Sequence, residues 1–299
     1  LASVDLGVDF THPDLWKNSW INQGEIPQFM WDSGIDEDEN GKVTPEEVVS
    51  YLVTNFGDIN NDGLVDLRDA VSDNSPFEDS WDEDGNGYTD DILGWDVSGA
   101  WGADDNDPYP KEDAASNGTW AHGTHVAGIM SATTNNALGM ASTSFNTSFI
   151  SVKVSRDGQT GDPGINDGYA GILYAAKAGY YSDTFTIINN SWGGGGYSGL
   201  ENAVIQNAHN NYGAVILSSA GNGDSSQLEY AKEYPAAYDD VLSVCAIGCS
   251  GVWGGWATYH PTVDLASPGE GVYSAIMNGG YASWMGSSMA SPNAVVRSA

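Results

Sequence analysis

From about Ser148 onward, short β-branched runs alternate with stretches whose apolar residues recur at helical spacing: SFISVKV, GINDGYAGILYAAKAG, FTIINN, GLENAVIQNAHNNYG, AVILSS and VLSVCA. Apolar runs of strand length separated by helix-length patterns predict repeated βα units on a parallel sheet. The opening LASVD predicts one more buried strand. Residues 29 to about 110 break the pattern, being crowded with Asp, Asn and Gly and periodic only in PEEVVSYLVTNF. The expected fold class is α/β, a doubly wound and mostly parallel sheet, with an acidic insertion over residues 29–80.

Inside that block the polar positions have an order of their own. Calcium takes six to eight oxygens, and a twelve-residue loop supplies them from positions 1, 3, 5, 7, 9 and 12 with glycine at 6 for the turn. DEDENGKVTPEE fits throughout, with Asp36, Asp38 and Asn40 as the first three ligands, Gly41 at the turn, the Lys42 carbonyl, and Glu47 closing. DINNDGLVDLRD follows with Asp58, Asn60, Asp62, Gly63, the Leu64 carbonyl and Asp69, whose shorter side chain either tightens the loop or leaves a gap for water. The helix between them makes a loop–helix–loop unit that resembles an EF-hand or dockerin pair. In a third stretch, DEDGNGYTDD, Asp82, Asp84, Asn86 and the Tyr88 carbonyl are in register, but position 12 is Leu93, so Asp91 is expected to close a shorter loop. The plainer reading of this third stretch is an Asx-rich turn.

Charge sharpens the picture. Forty-one acids face nine bases, a net charge of −32. Nucleic acid and anionic membrane are thereby excluded as expected partners, since phosphate is repelled over most of such a surface. The acidity reads either as solubility in salty surroundings or as metal ligands, with calcium the expected cofactor. No apolar run approaches the roughly 20 residues that span a bilayer, and no signal peptide is visible. Cys245 and Cys249 lie four apart, a spacing that leaves a local disulfide and buried thiols both open.

Candidate chemistry sits at the ends of the predicted elements. His122 opens HGTHVAGIM just before a helical run; the HxxH pair lacks the glutamate of HExxH, which argues against zinc. Asp5 ends the first strand, Asn222 follows another in SSAGNG, and GSSMASP (residues 286–292) packs serines 287, 288 and 291 between a glycine and a proline. A serine needs a base, an orienting acid and an oxyanion donor to act as nucleophile.

These segments, in the order Asp, His, Asn, Ser, resemble the subtilisin-like serine peptidases, or subtilases. HGTHVAG and GSSMASP carry the likeness, and DLGVDFTHPDL, INNSWGG, SSAGNG, YPAAYDDVLSV and VDLASPG follow in family order. The resemblance implies a subtilisin-like fold and a catalytic set of Asp5, His122, Ser288 and Asn222. Ser288 would be the nucleophile, His122 the base, Asp5 its orienting acid, and Asn222 with the Ser288 amide the oxyanion donors. Ser287 and Ser291 are expected to be structural. SWGGGG (residues 191–196) resembles the substrate-lining strand, with Ser191, Trp192 and Gly193 against a peptide backbone. NQGEIP and DGNGYTDDILGWD resemble a subgroup in which those pieces nearly adjoin.

Departures from the pattern are Leu6, where Ser or Thr usually follows the catalytic Asp, and Asn293, where His is common. Only four residues precede Asp5 and eleven follow Ser288, so the chain reads as truncated at both ends. The expectation is a secreted, monomeric, calcium-stabilised endopeptidase acting on polypeptides. Its rival is an inert peptidase core whose dockerin-like pair recruits a partner.

Overall fold

The opening run forms β1 (Ala2–Asp5), all of it buried. In this computed structural model, which describes residues 1–111, 114–223, 232–252 and 256–295, six more strands join it: β2 (Gly94–Asp96), β3 (Ile150–Lys153), β4 (Ile187–Asn190), β5 (Val215–Ser219), β6 (Val241–Ile247) and β7 (Leu265–Pro268). They form one parallel sheet in the order β2-β3-β1-β4-β5-β6-β7. From β1 the chain runs to the edge at β2, returns to β3 between β2 and β1, then crosses to the other side at β4. That crossing leaves a crevice beyond the carboxyl ends of β1 and β4, the place where open α/β sheets bind ligands.

Helices cover both faces, as the alternating pattern predicts. α3 (His122–Ser131) and α6 (Ser287–Ala294) share one apolar cluster, in which Val126, Ile129, Met289 and Ala290 meet Leu217 and Val244 of the sheet. α4 (Gly168–Tyr181) and α5 (Gly199–Tyr212) share the other, through Ile172, Ala175, Ile205 and Ala208 against Val4, Val152 and Ile188. An antiparallel hairpin, β8 (Val272–Ile276) and β9 (Gly280–Trp284), leads into α6.

The acidic block contains α1 (Gln28–Asp32) and α2 (Pro45–Asn55). The latter starts at a reciprocal cap between Thr44 and Glu47, with Pro45 in the first turn. Met30, Ile35, Val48 and Leu52 of this block belong to the same buried cluster as Val8 and Phe10, just past β1, and Ala127 of α3. The block therefore shares one buried cluster with segments of the fold beside the sheet. Both cysteines are free; Cys245 is a buried thiol, whereas Cys249, against the expectation of burial, is exposed.

Candidate active site

β1 delivers Asp5 to the crevice with its side chain 1% exposed. His122, the first residue of α3, meets it there: Nδ1 lies 2.8 Å from one carboxylate oxygen and 3.0 Å from the other. Close approach of α3 to β1 requires glycine at 123, because a Cβ there would stand 2.2 Å from the Gly7 carbonyl oxygen. The Leu6 backbone N–H also donates to Asp5, at 2.8 Å, so the carboxylate keeps a second donor whatever side chain follows it. Burial opposes charge on His122, but the negative charge and hydrogen bond of Asp5 outweigh it and hold the imidazole above its ordinary value. His125 is a different case. It stacks on Trp284 at 4.4 Å, its Nε2 faces the Ala282 carbonyl at 3.1 Å, and burial lowers it to about 4.

Ser288 is the second residue of α6, in the first turn where N–H groups lack intrahelical partners. Its hydroxyl donates to the Ser191 carbonyl at 3.0 Å, and the Ser191 hydroxyl donates back to the Ser288 carbonyl at 2.7 Å. Among the described residues no hydrogen bond joins Ser288 to His122. Such bonds commonly tighten only when substrate is present. Asn222 lies beyond β5 with its carbonyl oxygen accepting from the Ser287 N–H at 2.8 Å and the Ser287 hydroxyl at 3.0 Å. That hydroxyl in turn accepts from the Gly221 N–H at 3.2 Å. Ser287 thus fixes Asn222 with its amide nitrogen left over as a donor, a more specific part than the structural one expected of it. Ser291 is buried and donates to Asn189, tying α6 to β4 at 2.6 Å.

Trp192 is half wall, half anchor. Its indole N–H donates to the Val4 carbonyl at 2.9 Å, while with Tyr169, Tyr234 and residues 193–196 it lines an open cleft of about 380 Å³.

A family model described as the subtilase family matches residues 1–296. The chain belongs to the subtilase family. This subtilase is 37% identical to thermitase of Thermoactinomyces vulgaris over 199 residues, 66% of this chain and 64% of that protein. It is 28% identical to an extracellular protease of Xanthomonas campestris over 299 residues, 93% of this chain and 46% of that one. The chain thus spans about half to two thirds of the length of these relatives. Among solved structures it is similar to the S41 psychrophilic protease, with a TM-score of 0.57 and 26% identity over 68% of this chain and 67% of that chain.

In the acidic block of the subtilase, the first loop brings carboxylate oxygens of Asp36, Asp38 and Glu47 within 4.8 Å of one another. The Gly41 N–H donates to Asp36 at 2.8 Å, the Lys42 N–H to Asn40 at 2.8 Å, and the Glu37 N–H to Glu47 at 2.9 Å. The second loop has the same internal bonds, Gly63 N–H to Asp58 at 2.9 Å and Leu64 N–H to Asp62 at 2.9 Å. Asp69 accepts from Ile59 at 2.6 Å. Its short side chain does not draw in with Asp58 and Asp62 as Glu47 does in the first loop.

In the third loop the expected closure by Asp91 is not what the structure places there. The Asp91 carboxylate is fully buried against the amides of Asn22 and Asn86 and the Tyr174 hydroxyl, the last at 2.7 Å. Glu25 instead lies within 4.8 Å of Asp82 and Asp84. Its two oxygens accept from the Asp84 N–H at 3.2 Å and the Asp90 N–H at 2.9 Å. Burial pushes Glu25 up to about 7, with the Asp84 charge adding to it against those two N–H groups. The cue in the sequence is NQGEIP, whose Glu25 is remote along the chain but adjoins the third loop in space.

Proposed function

We propose that this chain carries the peptidase domain of a calcium-stabilised serine endopeptidase, exported from the cell and monomeric, that cleaves polypeptides through an acyl-enzyme on Ser288. The observation that carries this reading is the Asp5–His122 pair at 2.8 Å in one crevice with a serine at a helix N-terminus and a side-chain amide held beside it. In the reaction, the Ser288 oxygen attacks the scissile carbonyl carbon as His122 Nε2 takes its proton, and the carbonyl becomes an oxyanion facing Asn222 and the Ser288 N–H. The C–N bond breaks, the leaving amine takes the proton from His122, and water repeats the sequence to release the acid. Asp5 holds the imidazole with Nε2 toward the serine and stabilises its charged form. Residues 191–193 offer backbone to the substrate for pairing as an added strand.

For calcium, the donor chemistry fits: carboxylates, side-chain amides and backbone carbonyls are the hard oxygen ligands that calcium takes. One oxygen each of Asp58 and Asp82 is buried with no hydrogen-bond partner, as befits acceptors turned toward a cation. Asp36, Asp38, Asn40, Lys42 and Glu47 would hold one ion, Asp58, Asn60, Asp62, Leu64 and Asp69 a second, and Asp82, Asp84, Asn86, Tyr88 and Glu25 a third, with Asp91 orienting the amide of Asn86. Calcium, when bound, supplies divalent countercharge that ties these loops to the core. Export is supported by relatives named as extracellular proteases of Xanthomonas campestris and Dichelobacter nodosus.

A fluorophosphonate probe tests the central claim. The expected result is one covalent adduct, mapped to Ser288 and abolished in Ser288→Ala. An unlabelled, folded chain that still binds calcium would favour the inert binding module.

A further inference from the structure

Past the last paired residues of β4 and β5, Asn190 and Ser218, the two neighbouring strands continue as residues 191–194 and 220–222. One of these walls holds the Ser288 hydroxyl through the Ser191 carbonyl, and the other ends in Asn222. Glu233 fills the gap between them. A Cβ on Gly221 would stand 2.7 Å from one Glu233 carboxylate oxygen and 2.8 Å from the other, and a Cβ on Gly193 would stand 3.0 Å from the latter. Glycine at both positions therefore lets a carboxylate lie between the walls. The stretch after it is fixed to the first wall by the Gly194 N–H, which donates to the Tyr234 carbonyl at 3.0 Å.

We infer that the Glu233 carboxylate floors the pocket for the substrate residue that supplies the scissile carbonyl, and that it selects lysine or arginine there. The inference rests on the peptidase reading of Ser288. A carbonyl placed between Ser288 and Asn222 carries its side chain toward the space between residues 191–193 and 220–222, and Glu233 is the charged group that meets it. Among the described residues no cation or hydrogen-bond donor pairs with this carboxylate, and Lys232 beside it in the chain is exposed and makes no ion pair with it. Three other buried or half-buried acids do have cations: Asp96 has Lys153, Asp107 has Arg68 and Asp167 has Arg156. Burial alone raises the proton affinity of Glu233, the mark of a desolvated anion lacking a countercharge. A substrate ammonium or guanidinium supplies that charge, and arginine can do so with two parallel N–H donors. The net charge of −32 works in the same direction at long range by drawing in cationic peptides.

The test is a set of peptide anilides identical except for the residue before the anilide, which is Arg, Lys, Gln, Phe or Glu. Expected for the native chain is a kcat/KM for Arg and Lys at least about tenfold above Gln and Phe, with Glu slowest. Glu233→Gln should collapse the ratio of Arg to Gln to within about threefold, and Glu233→Arg should bring Glu above Arg. Fluorophosphonate labelling of each variant at Ser288 reports that its active site is assembled. A native chain that cleaves Phe as well as Arg overturns the inference and leaves the peptidase reading standing, and so does a Glu233→Gln variant that scales every substrate by one factor. Absence of both labelling and cleavage in the native chain overturns both. The native substrate series decides the matter even where a variant fails to fold.

Discussion

The Ser287 hydroxyl accepts from Gly221 and donates to Asn222, so it stands behind the proposed oxyanion donor. Its removal should loosen Asn222 and lower kcat by roughly tenfold with little change in KM, because the lost interaction acts on charge that develops in the transition state. Asn222→Ala removes the donor itself and should cost on the order of 10²–10³ in kcat, the size that loss of this donor has in subtilisin. Ser288→Ala should abolish turnover, and Ser291→Ala should retain a measurable share. The pH profile has a definite sign. His122 must be neutral to accept a proton, and Asp5 holds it above its ordinary value. Activity should therefore fall as pH drops through a midpoint above the ordinary histidine value of about 6.5. In Asp5→Asn the residual activity should have its midpoint shifted to lower pH.

Two carboxylates mark where reading along the chain stops. HGTHVAG and GSSMASP are contiguous, so a helix start with its catalytic side chain is written in one stretch. Glu25 and Glu233 are placed by contacts across space, one beside a loop far along the chain and the other between glycines that follow β4 and β5, and neither sits in a run with the right spacing.

At the level of elements, β1, β3, β4, β5 and β6 were legible as apolar runs because both faces of the sheet are covered. β2 is three residues inside the acidic block, and β7 contains Ser267 and ends in Pro268, so neither gives a period to read. Within the insertion, α2 was legible from its cap and apolar spacing. Its place in the core was not, since Val48 and Leu52 share a buried cluster with Phe10 and Ala127, residues from distant segments. Chelation of calcium should lower the melting temperature by about 5 °C or more, as loss of a ligand bound only by the folded state requires. Glu47→Gln with Asp69→Asn should reproduce much of that drop in excess calcium, and Glu25→Gln should lower it further where Asp91→Glu does not restore it. Calorimetry in millimolar calcium against molar sodium chloride separates specific sites from screening of like charges; equal rescue by both salts would defeat the sites.

Across the whole molecule, charge is distributed very unevenly: acids crowd the loops, and most of the nine bases are tied down. Lys153 is buried between Asp96 and Asp157, Arg68 lies over Tyr109 and beside Asp107, Lys177 donates to the Asn86 carbonyl, and Lys17 pairs with Glu46. For an enzyme that cuts after basic residues, as inferred above, this leaves one copy few cut points to offer another: among the described residues only Lys17, Lys42 and Lys232 are exposed bases. A concentrated solution in calcium should lose activity by a first-order process, not by the second-order decay of mutual digestion. Of the three exposed bases, Lys42 is the one whose backbone the first acidic loop holds in place, so its exposure to cleavage should depend on calcium. With a chelator present, mass spectrometry should find a new internal cleavage after Lys42 that is absent in calcium, and Lys42→Gln should lengthen the half-life of the chelated protein while leaving the calcium-loaded one as it was.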